Sequence, residues 1–382
     1  MSGVERILAN ARVVTGEAVF AGSVCLRDGR IAAVDEGTGV PAGAVDLQGD
    51  FLLPGLVELH TDNLERHVSP RPGVVWPLIS AIAAHDTELA AAGITTVLDA
   101  LRLGRLRGGS AYMQKMPEIV ATLRQAKEAG LLRAEHFFHF RCEVSCDGVA
   151  DDLTKMIGPD DIRLISVMDH TPGQRQFADL AKYREYHMGK YGLSDEEMQA
   201  FMDRATAMQE KNSAPNRRAI VDLCRKTGLV LASHDDATPD HVEEAVADGV
   251  SVAEFPTTLA AAALAEAHDM DVLMGAPNVV RGASHSGNVS ARELAERGHL
   301  DILSSDYVPV SLLRAAFLLA DEVPGIELPQ AVATVSRAPA RAVGLEDRGE
   351  IAPEQRADLI RVRRLDGVEV VQSVWRDGRQ IL

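Results

Sequence analysis

Eight short apolar runs that alternate with helical stretches constrain the fold of this chain more than any other feature. The runs lie between residues 56 and 307, and each is apolar on both faces. They read "LVELHTD" (56–62), "ITTVLDA" (94–100), "HFFHFRCEV" (136–144), "IRLISVMDH" (162–170), "LVLASHDD" (229–236), "VSVAEFPT" (250–257), "DVLMGAPN" (271–278) and "LDILSSDY" (300–307). Strands of this kind pair in parallel and are covered by helices. Eight of them predict an α/β fold with a closed (β/α)₈ TIM-like barrel.

An open, doubly wound sheet is the rival arrangement for strands that alternate with helices. That fold calls for a glycine-rich phosphate loop directly after its first strand. The stretch after the first run, "NLERHVSP", contains no glycine. The barrel is therefore the favoured interpretation.

The two ends of the chain differ from the middle, because they contain strand-like segments joined by Gly and Asp turns. The first 50 residues include "RILANARVVT", "GSVCLRDGRIAAVD" and "AVDLQGDFLLP", and the end includes "GEIAPEQRADLIRVRRL" and "VEVVQSVWRDGRQIL". We expect these segments to pair into one small β-sandwich domain formed by residues 1–53 and 340–382. The barrel domain would then span residues 54–339.

Composition excludes several classes of function. The 382 residues carry a net charge of −17, which argues against a broad surface for nucleic acid or acidic membrane because both need positive patches. The start "MSGVERILAN" lacks the pattern of a signal segment, and no run of about 18 apolar residues occurs. The four cysteines have no CxxC spacing, which is typical of reduced thiols. The expected location is the cytoplasm.

Polar side chains that bind metals well stand at five of the eight predicted strand ends. They are His60 and Asp62 on the first strand, Glu143 on the third, His170 on the fourth, His234 on the fifth and Asp306 on the eighth. In a closed barrel these ends converge at one mouth. Imidazole and carboxylate ligands together favour Zn²⁺, with Mn, Fe or Mg as alternatives. Six ligands predict a divalent metal site that holds two ions.

Each of these residues also has a structural interpretation. A single histidine at a strand end is commonly a hydrogen-bonded structural residue, Glu143 could pair with Arg141, and Asp306 could cap the following helix. The coincidence of ligand types at five strand ends favours the metal site. Two ions about 3.5 to 4 Å apart can ionise a water and polarise a carbonyl or phosphoryl oxygen. Asp306 is our candidate for the catalytic base beside that water.

The sequence resembles the amidohydrolase superfamily over nearly its whole length. The resemblance rests on "LLPGLVELHTD", "LASHDD", "ILSSDY" and the closing "QRADLI". More narrowly, "VELHTDNLERHVSPRPGVVWP", "SAIAAHDTELAAAGITTVLDAL", "HFRCEVS", "MDHTPGQRQF" and "RGASHSGNVSARELA" resemble the phosphonate-metabolism M protein family of the carbon–phosphorus lyase pathway. That resemblance implies hydrolysis of α-D-ribose 1-methylphosphonate 5-triphosphate to the 5-phosphate and diphosphate.

The chain departs from the superfamily's usual pattern at three places. The first strand carries His60, Thr61 and Asp62 where the superfamily has two histidines separated by one residue. The superfamily commonly bridges its metals with a carboxylated lysine, and no lysine stands beside His170, so Glu143 is the expected substitute. His170 and His234 follow the fourth and fifth predicted strands, whereas the superfamily usually places its histidines on the fifth and sixth.

The anionic ribosyl triphosphate implied by the resemblance needs positive charge in the mouth loops. The long segment from residue 171 to 211 is rich in Tyr, Arg, Lys and His, as expected for a loop that shapes a pocket. The candidate phosphate-binding residues are Arg71, Arg175, Lys190, Arg281 and His285. A solvated surface charge is the alternative for each of the basic residues.

Two other functions are consistent with the residues. The same kind of site can attack a carbonyl carbon, so a cyclic-amide or N-acyl amidohydrolase related to dihydroorotases and hydantoinases is the first alternative. A barrel that has lost its metals and serves as a scaffold is the second, although the ligand set looks intact. A homodimer is the expected assembly, from what barrels of this kind form.

Overall fold

The structure, a computed structural model, describes residues 5–104, 111–158, 160–177, 180–282 and 287–382. It contains two β-sheets and a set of helices packed around one of them. The strands are β1 (Arg6–Val14), β2 (Val19–Arg27), β3 (Arg30–Glu36), β4 (Val45–Asp46), β5 (Phe51–Pro54), β6 (Leu56–Thr61), β7 (Ile94–Leu103), β8 (Glu135–Glu143), β9 (Ile162–Met168), β10 (Val230–His234), β11 (Val252–Glu254), β12 (Asp271–Gly275), β13 (Ile302–Ser304), β14 (Leu359–Leu365), β15 (Val368–Arg376) and β16 (Arg379–Gln380).

Helices follow most of the strands in the middle of the chain. They are α1 (Leu64–Val68), α2 (Leu78–Ala91), α3 (Ala111–Gln114), α4 (Met116–Glu128), α5 (Val149–Met156), α6 (Leu180–Tyr191), α7 (Asp195–Thr227), α8 (Pro239–Asp248), α9 (Leu259–Ala267), α10 (Ala276–Arg281), α11 (Ala291–Glu296), α12 (Ser311–Glu322), α13 (Leu328–Ala333) and α14 (Arg337–Ala342), with a 3₁₀ turn at Arg175–Phe177. In these described parts of the chain, no helix combines the length and the apolar character that a membrane crossing requires.

The middle strands form a parallel barrel. Strands β6 to β13 pair in sequence order, each in parallel with the next. A parallel bridge between Thr61 and Asp306 joins the last strand to the first. At this seam the Asp62 amide donates to the Asp306 carbonyl and the Asp306 amide donates to the His60 carbonyl, each at 3.1 Å. The predicted (β/α)₈ barrel is confirmed, and each of the eight runs overlaps one observed strand.

Both termini contribute to the second sheet. Its strand order is β16-β15-β14-β5-β1-β2-β3, with β4 paired to β1. The two termini meet where β5 and β14 run antiparallel, with Leu53 opposite Ile360. The boundary near residue 340 stays a prediction, since Ala340 and Val343 pack in the same cluster as Val57 of the barrel.

A glycine allows the first two barrel strands to approach closely. Gly55 lies between the terminal sheet and β6, and a Cβ atom built on it would lie 2.3 Å from the Thr95 hydroxyl oxygen. No real Cβ tolerates that distance, so Gly is required where the chain enters the barrel. The "PG" before the first run is therefore a packing requirement of the barrel entrance.

Candidate active site

A cavity of about 290 Å³ opens at the carboxyl ends of the barrel strands. Five of the six predicted metal ligands line it: His60, Asp62, His170, His234 and Asp306. They come from strand ends that lie far apart in sequence, and the closed sheet brings them to one mouth. The structure thus places together the side chains that the strand-end pattern selected.

One buried carboxylate orients two of these histidines. The Nδ1 atoms of His60 and His234 each lie 2.6 Å from a different oxygen of Glu254, at the end of β11. Burial lowers the pKa of His60, and it lowers the pKa of His234 to about 3. Both rings are therefore neutral, with Nδ1–H donating to Glu254 and the Nε2 lone pair left to act as a ligand. A carboxylate behind a histidine is the usual second partner of a metal-binding imidazole.

The side chains of His170, His234 and Asp235 form a donor set that fits a metal ion. The Asp235 Oδ2 atom lies 3.6 Å from His170 Nε2 and 3.5 Å from His234 Nε2. Donors at roughly 2.1 Å from a tetrahedrally bound zinc ion lie roughly 3.4 Å apart. The three donor atoms belong to one group of mutually close ligand atoms. Their chemistry and spacing match a divalent metal site.

Glu143 lies one layer behind this set. Its carboxylate accepts from His170 Nδ1 at 2.7 Å, from the His170 amide at 2.9 Å and from Arg102 at 2.7 Å. Although burial opposes the shift, His170 and Arg102 hold the pKa of Glu143 at about 2. The side chain is fully buried. Pairing of Glu143 with Arg141, the alternative raised from the sequence, is not what the structure contains.

Asp306 stands on the seam of the barrel. Burial, with Asp62 as the next cause, raises the pKa of Asp306 to about 7. Beneath it, Glu58 accepts from the amides of His60 and Ser305, each at 2.6 Å, and so ties the first strand to the last. Burial raises the pKa of Glu58 to about 8. The seam therefore holds Asp306 in a poorly solvated position from which it can take a proton near neutral pH.

Backbone strain is concentrated at the same mouth. Asp235, Phe255 and Asp306 all have positive φ, at 59°, 55° and 54°. Each follows directly on a strand end or lies two residues beyond it, and all three line the cavity. Positive φ costs free energy in a large residue such as phenylalanine. Its presence here indicates that the surrounding contacts hold the backbone in this conformation.

The predicted phosphate-binding residues separate into three groups. Arg281 lines the cavity with an exposed side chain. Arg71 is exposed on the loop after α1, and Arg175 is buried in ion pairs with Asp236 and Glu244; neither belongs to the cavity lining. The side chain of Lys190 and the whole of His285 lie outside the described residues, so their roles stay predictions.

Comparison with known proteins assigns the chain. Residues 77–381 match the amidohydrolase family. The chain belongs to this family. It is 46% identical over 376 residues, 98% of this chain and 100% of the relative, to the α-D-ribose 1-methylphosphonate 5-triphosphate diphosphatase of Escherichia coli. Among solved structures, N-acetyl-D-glucosamine-6-phosphate deacetylase from Mycobacterium smegmatis matches with a TM-score of 0.61, 17% identity, and coverage of 99% of this chain and 100% of that one. Dihydropyrimidinase from Brevibacillus agri matches with a TM-score of 0.56, 15% identity, and coverage of 99% and 95%.

Two histidines of the site, His170 and His234, lie at the ends of the fourth and fifth barrel strands. The structure confirms the strand count: His170 follows the fourth barrel strand and His234 ends the fifth. The sixth strand ends in Glu254. The structure therefore agrees with the strand positions that the sequence predicted for these two histidines.

Three residues of this amidohydrolase site were missed by the sequence analysis. Glu254 ends the sixth predicted strand, so the criterion that selected Glu143 also points to it. Arg141 stands two residues before Glu143 on β8 and shares its face of the strand. Asp235 is adjacent to His234, but its direction depends on its positive φ, which the sequence does not indicate.

A second buried polar cluster lies behind the "HTDN" turn. Asp99 binds His85 Nε2 and His136 Nδ1, each at 2.8 Å, and the Asn63 amide nitrogen lies 3.0 Å from His85 Nδ1. Burial alone would lower the pKa of His136, but Asp99 and Asp86 raise it to about 9. The cluster links the residue after Asp62 to the body of the barrel by hydrogen bonds.

Proposed function

We propose that this chain hydrolyses α-D-ribose 1-methylphosphonate 5-triphosphate to the 5-phosphate and diphosphate. The 46% identity over 98% of the chain to the Escherichia coli diphosphatase carries the proposal. The site supports it with a cavity that combines metal ligands, a carboxylate of raised pKa and arginine side chains. The reaction consumes one water and breaks the oxygen bridge between the first and second phosphorus atoms.

The residues proposed to hold the metal are His60, Asp62, His170, His234 and Asp306, with Asp235 added from the structure. Two ions, most simply zinc, are proposed because these donors surround one cavity. Bound there, divalent metal supplies Lewis acidity and lowers the pKa of a water. Glu143 stays a candidate ligand, although its contacts with His170 and Arg102 favour a supporting role.

The protein side chains then have separate tasks. Glu254 fixes the rings of His60 and His234 so that each presents Nε2. Asp306 takes the proton of the attacking water, for which a pKa of about 7 is well matched. Arg281 binds phosphate oxygens at the rim of the cavity. Diphosphate is the leaving group.

The test is to incubate the purified protein with the methylphosphonate ribose triphosphate, with ATP and with hydantoin, and to follow diphosphate and orthophosphate by phosphorus NMR. We expect diphosphate from the phosphonate substrate, loss of activity after chelation, and recovery with a divalent ion. Full activity in metal-free protein would refute the metal-dependent mechanism. Turnover of hydantoin without diphosphate release would replace the proposal with the cyclic-amide hydrolase.

Two further proposals concern the setting of the reaction. All four cysteines are free thiols, which supports a reducing compartment such as the cytoplasm. We propose a homodimer because barrels of this kind commonly form one, and sedimentation of the purified protein tests this.

A further inference from the structure

Arg141 is a cation that lines the cavity and, among the residues that the structure describes, forms no ion pair with an acidic side chain. It lies on β8, two residues before Glu143, and its partly buried side chain lines the cavity. Its Nη2 atom is 3.4 Å from His234 Nε2. Its Nε atom is buried and lacks a hydrogen-bond partner. Within the described parts of the chain, it has no ion pair with a carboxylate within 4.0 Å.

Arg102 and Arg175 differ from Arg141 in this respect. Arg102 binds Glu143 at 2.7 Å, and Arg175 is held by Asp236 and Glu244. Their charges are already balanced by protein carboxylates. A partly buried guanidinium without such a partner costs free energy, and this cost is recovered when an anion binds. Arg141 therefore has the properties of a residue prepared for an anionic ligand.

The charge of Arg141 acts on the groups that surround the cavity. Burial and Asp62 raise the pKa of Asp306, and Arg141 opposes them. The pKa of His234 is lowered by burial first and also by Arg141. The guanidinium lines the same cavity as the proposed base Asp306 and the proposed metal ligand His234.

The contact with His234 indicates how this side chain would be used. Nε2 of His234 is the atom proposed to bind metal, and Arg141 donates to it at 3.4 Å. When Nε2 is taken by a metal ion, the guanidinium donors are left for substrate oxygens. Arg281, by contrast, is exposed at the rim.

We propose that Arg141 is a catalytic residue that binds non-bridging oxygens of the phosphorus atom next to the ribose. This inference rests on the proposed function. In the reaction, the water oxygen joins the phosphorus next to the ribose while the bond from this phosphorus to the bridging oxygen breaks. Diphosphate leaves with the bridging oxygen, and Asp306 receives a proton from the water. The Arg141 guanidinium stabilises the charge that develops on the phosphoryl oxygens.

The experiment compares Arg141→Met and Arg141→Lys with Arg225→Met, a surface control on α7 whose side chain is 56% exposed. We expect kcat for the phosphonate substrate to fall about 100-fold or more in Arg141→Met, as for the loss of one donor to a transition-state oxyanion. Arg141→Lys should recover only part of the loss, because lysine lacks the bidentate fork. Metal content and thermal unfolding should match the wild type in all three variants.

A binding measurement separates this inference from the proposed function. Ribose 5-phosphate presents a phosphate next to the sugar, so its Kd for the metal-loaded protein should rise about tenfold in Arg141→Met and not in the control. If the wild type fails to hydrolyse the phosphonate substrate but this binding loss appears, the proposed function fails and the anion contact stands. If Arg141→Met keeps both kcat and the Kd for ribose 5-phosphate within about threefold, Arg141 has no such role.

Discussion

Replacing His136 by glutamine should remove a pH-dependent part of the stability of this barrel. The pKa of His136 is raised to about 9 in the folded chain, against 6.5 for a free histidine side chain, by Asp99 and Asp86 acting against burial. Because the folded-state pKa is the higher one, the stabilisation is fully present below about pH 6.5. It is lost as the pH rises through about 9.

The magnitude follows from the difference between the two pKa values. Each pKa unit corresponds to about 1.4 kcal/mol, so the shift contributes about 3 kcal/mol at pH 6 and less than about 1 kcal/mol at pH 9. The buried position of His136, with 4% of its surface exposed, means that solvent screening reduces this contribution little. The free energy of unfolding should therefore differ between wild type and His136→Gln mainly at the lower pH.

The assay is urea unfolding followed by circular dichroism at pH 6 and at pH 9, with equal metal loading. His268→Gln, a substitution of an exposed histidine at the end of α9, is the control. The wild type should exceed His136→Gln by about 3 kcal/mol at pH 6, and this gap should shrink at pH 9. An equal gap at both pH values would show that His136 is not held in its charged form by Asp99.

Four further outcomes follow from the site and the barrel entrance. Asp306→Asn should abolish turnover while its circular dichroism spectrum stays that of the wild type. The metal affinity of the wild type, measured by titration, should weaken as the pH falls through about 7, because Asp306 then gains a proton. Glu254→Gln should weaken metal binding about 10- to 100-fold in the same titration, since both histidine rings lose their carboxylate partner. Gly55→Ala should destabilise the fold by about 1–3 kcal/mol, because its Cβ collides with Thr95, and thermal unfolding would measure this.

The sequence was most informative where local pattern and function coincide. All eight strand runs could be found because each is apolar on both faces and ends in polar residues, which is what a barrel with its site at one mouth requires. His60, His170, His234 and Asp306 were selected for the same reason, and they meet at the cavity.

The side-chain partners that the sequence did not indicate come from contacts across the barrel. The pairing of Glu254 with His60 joins residues 194 positions apart, and no local pattern specifies which carboxylate reaches which ring. Arg175 looked available for phosphate because it stands in a polar loop, yet Asp236 and Glu244 hold it. Arg141 looked like a partner for Glu143, yet it faces the cavity. Charge balance in a folded site is set by tertiary neighbours, which the sequence alone does not indicate.

The bridge between Thr61 and Asp306 determines when this site can exist. The two residues are separated by 245 positions, so the proposed catalytic base joins its histidines only after almost the whole barrel has been synthesised. A nascent chain that ends before residue 302 lacks both β13 and Asp306 and should not assemble the cavity. A product truncated before this point is therefore expected to lack hydrolase activity.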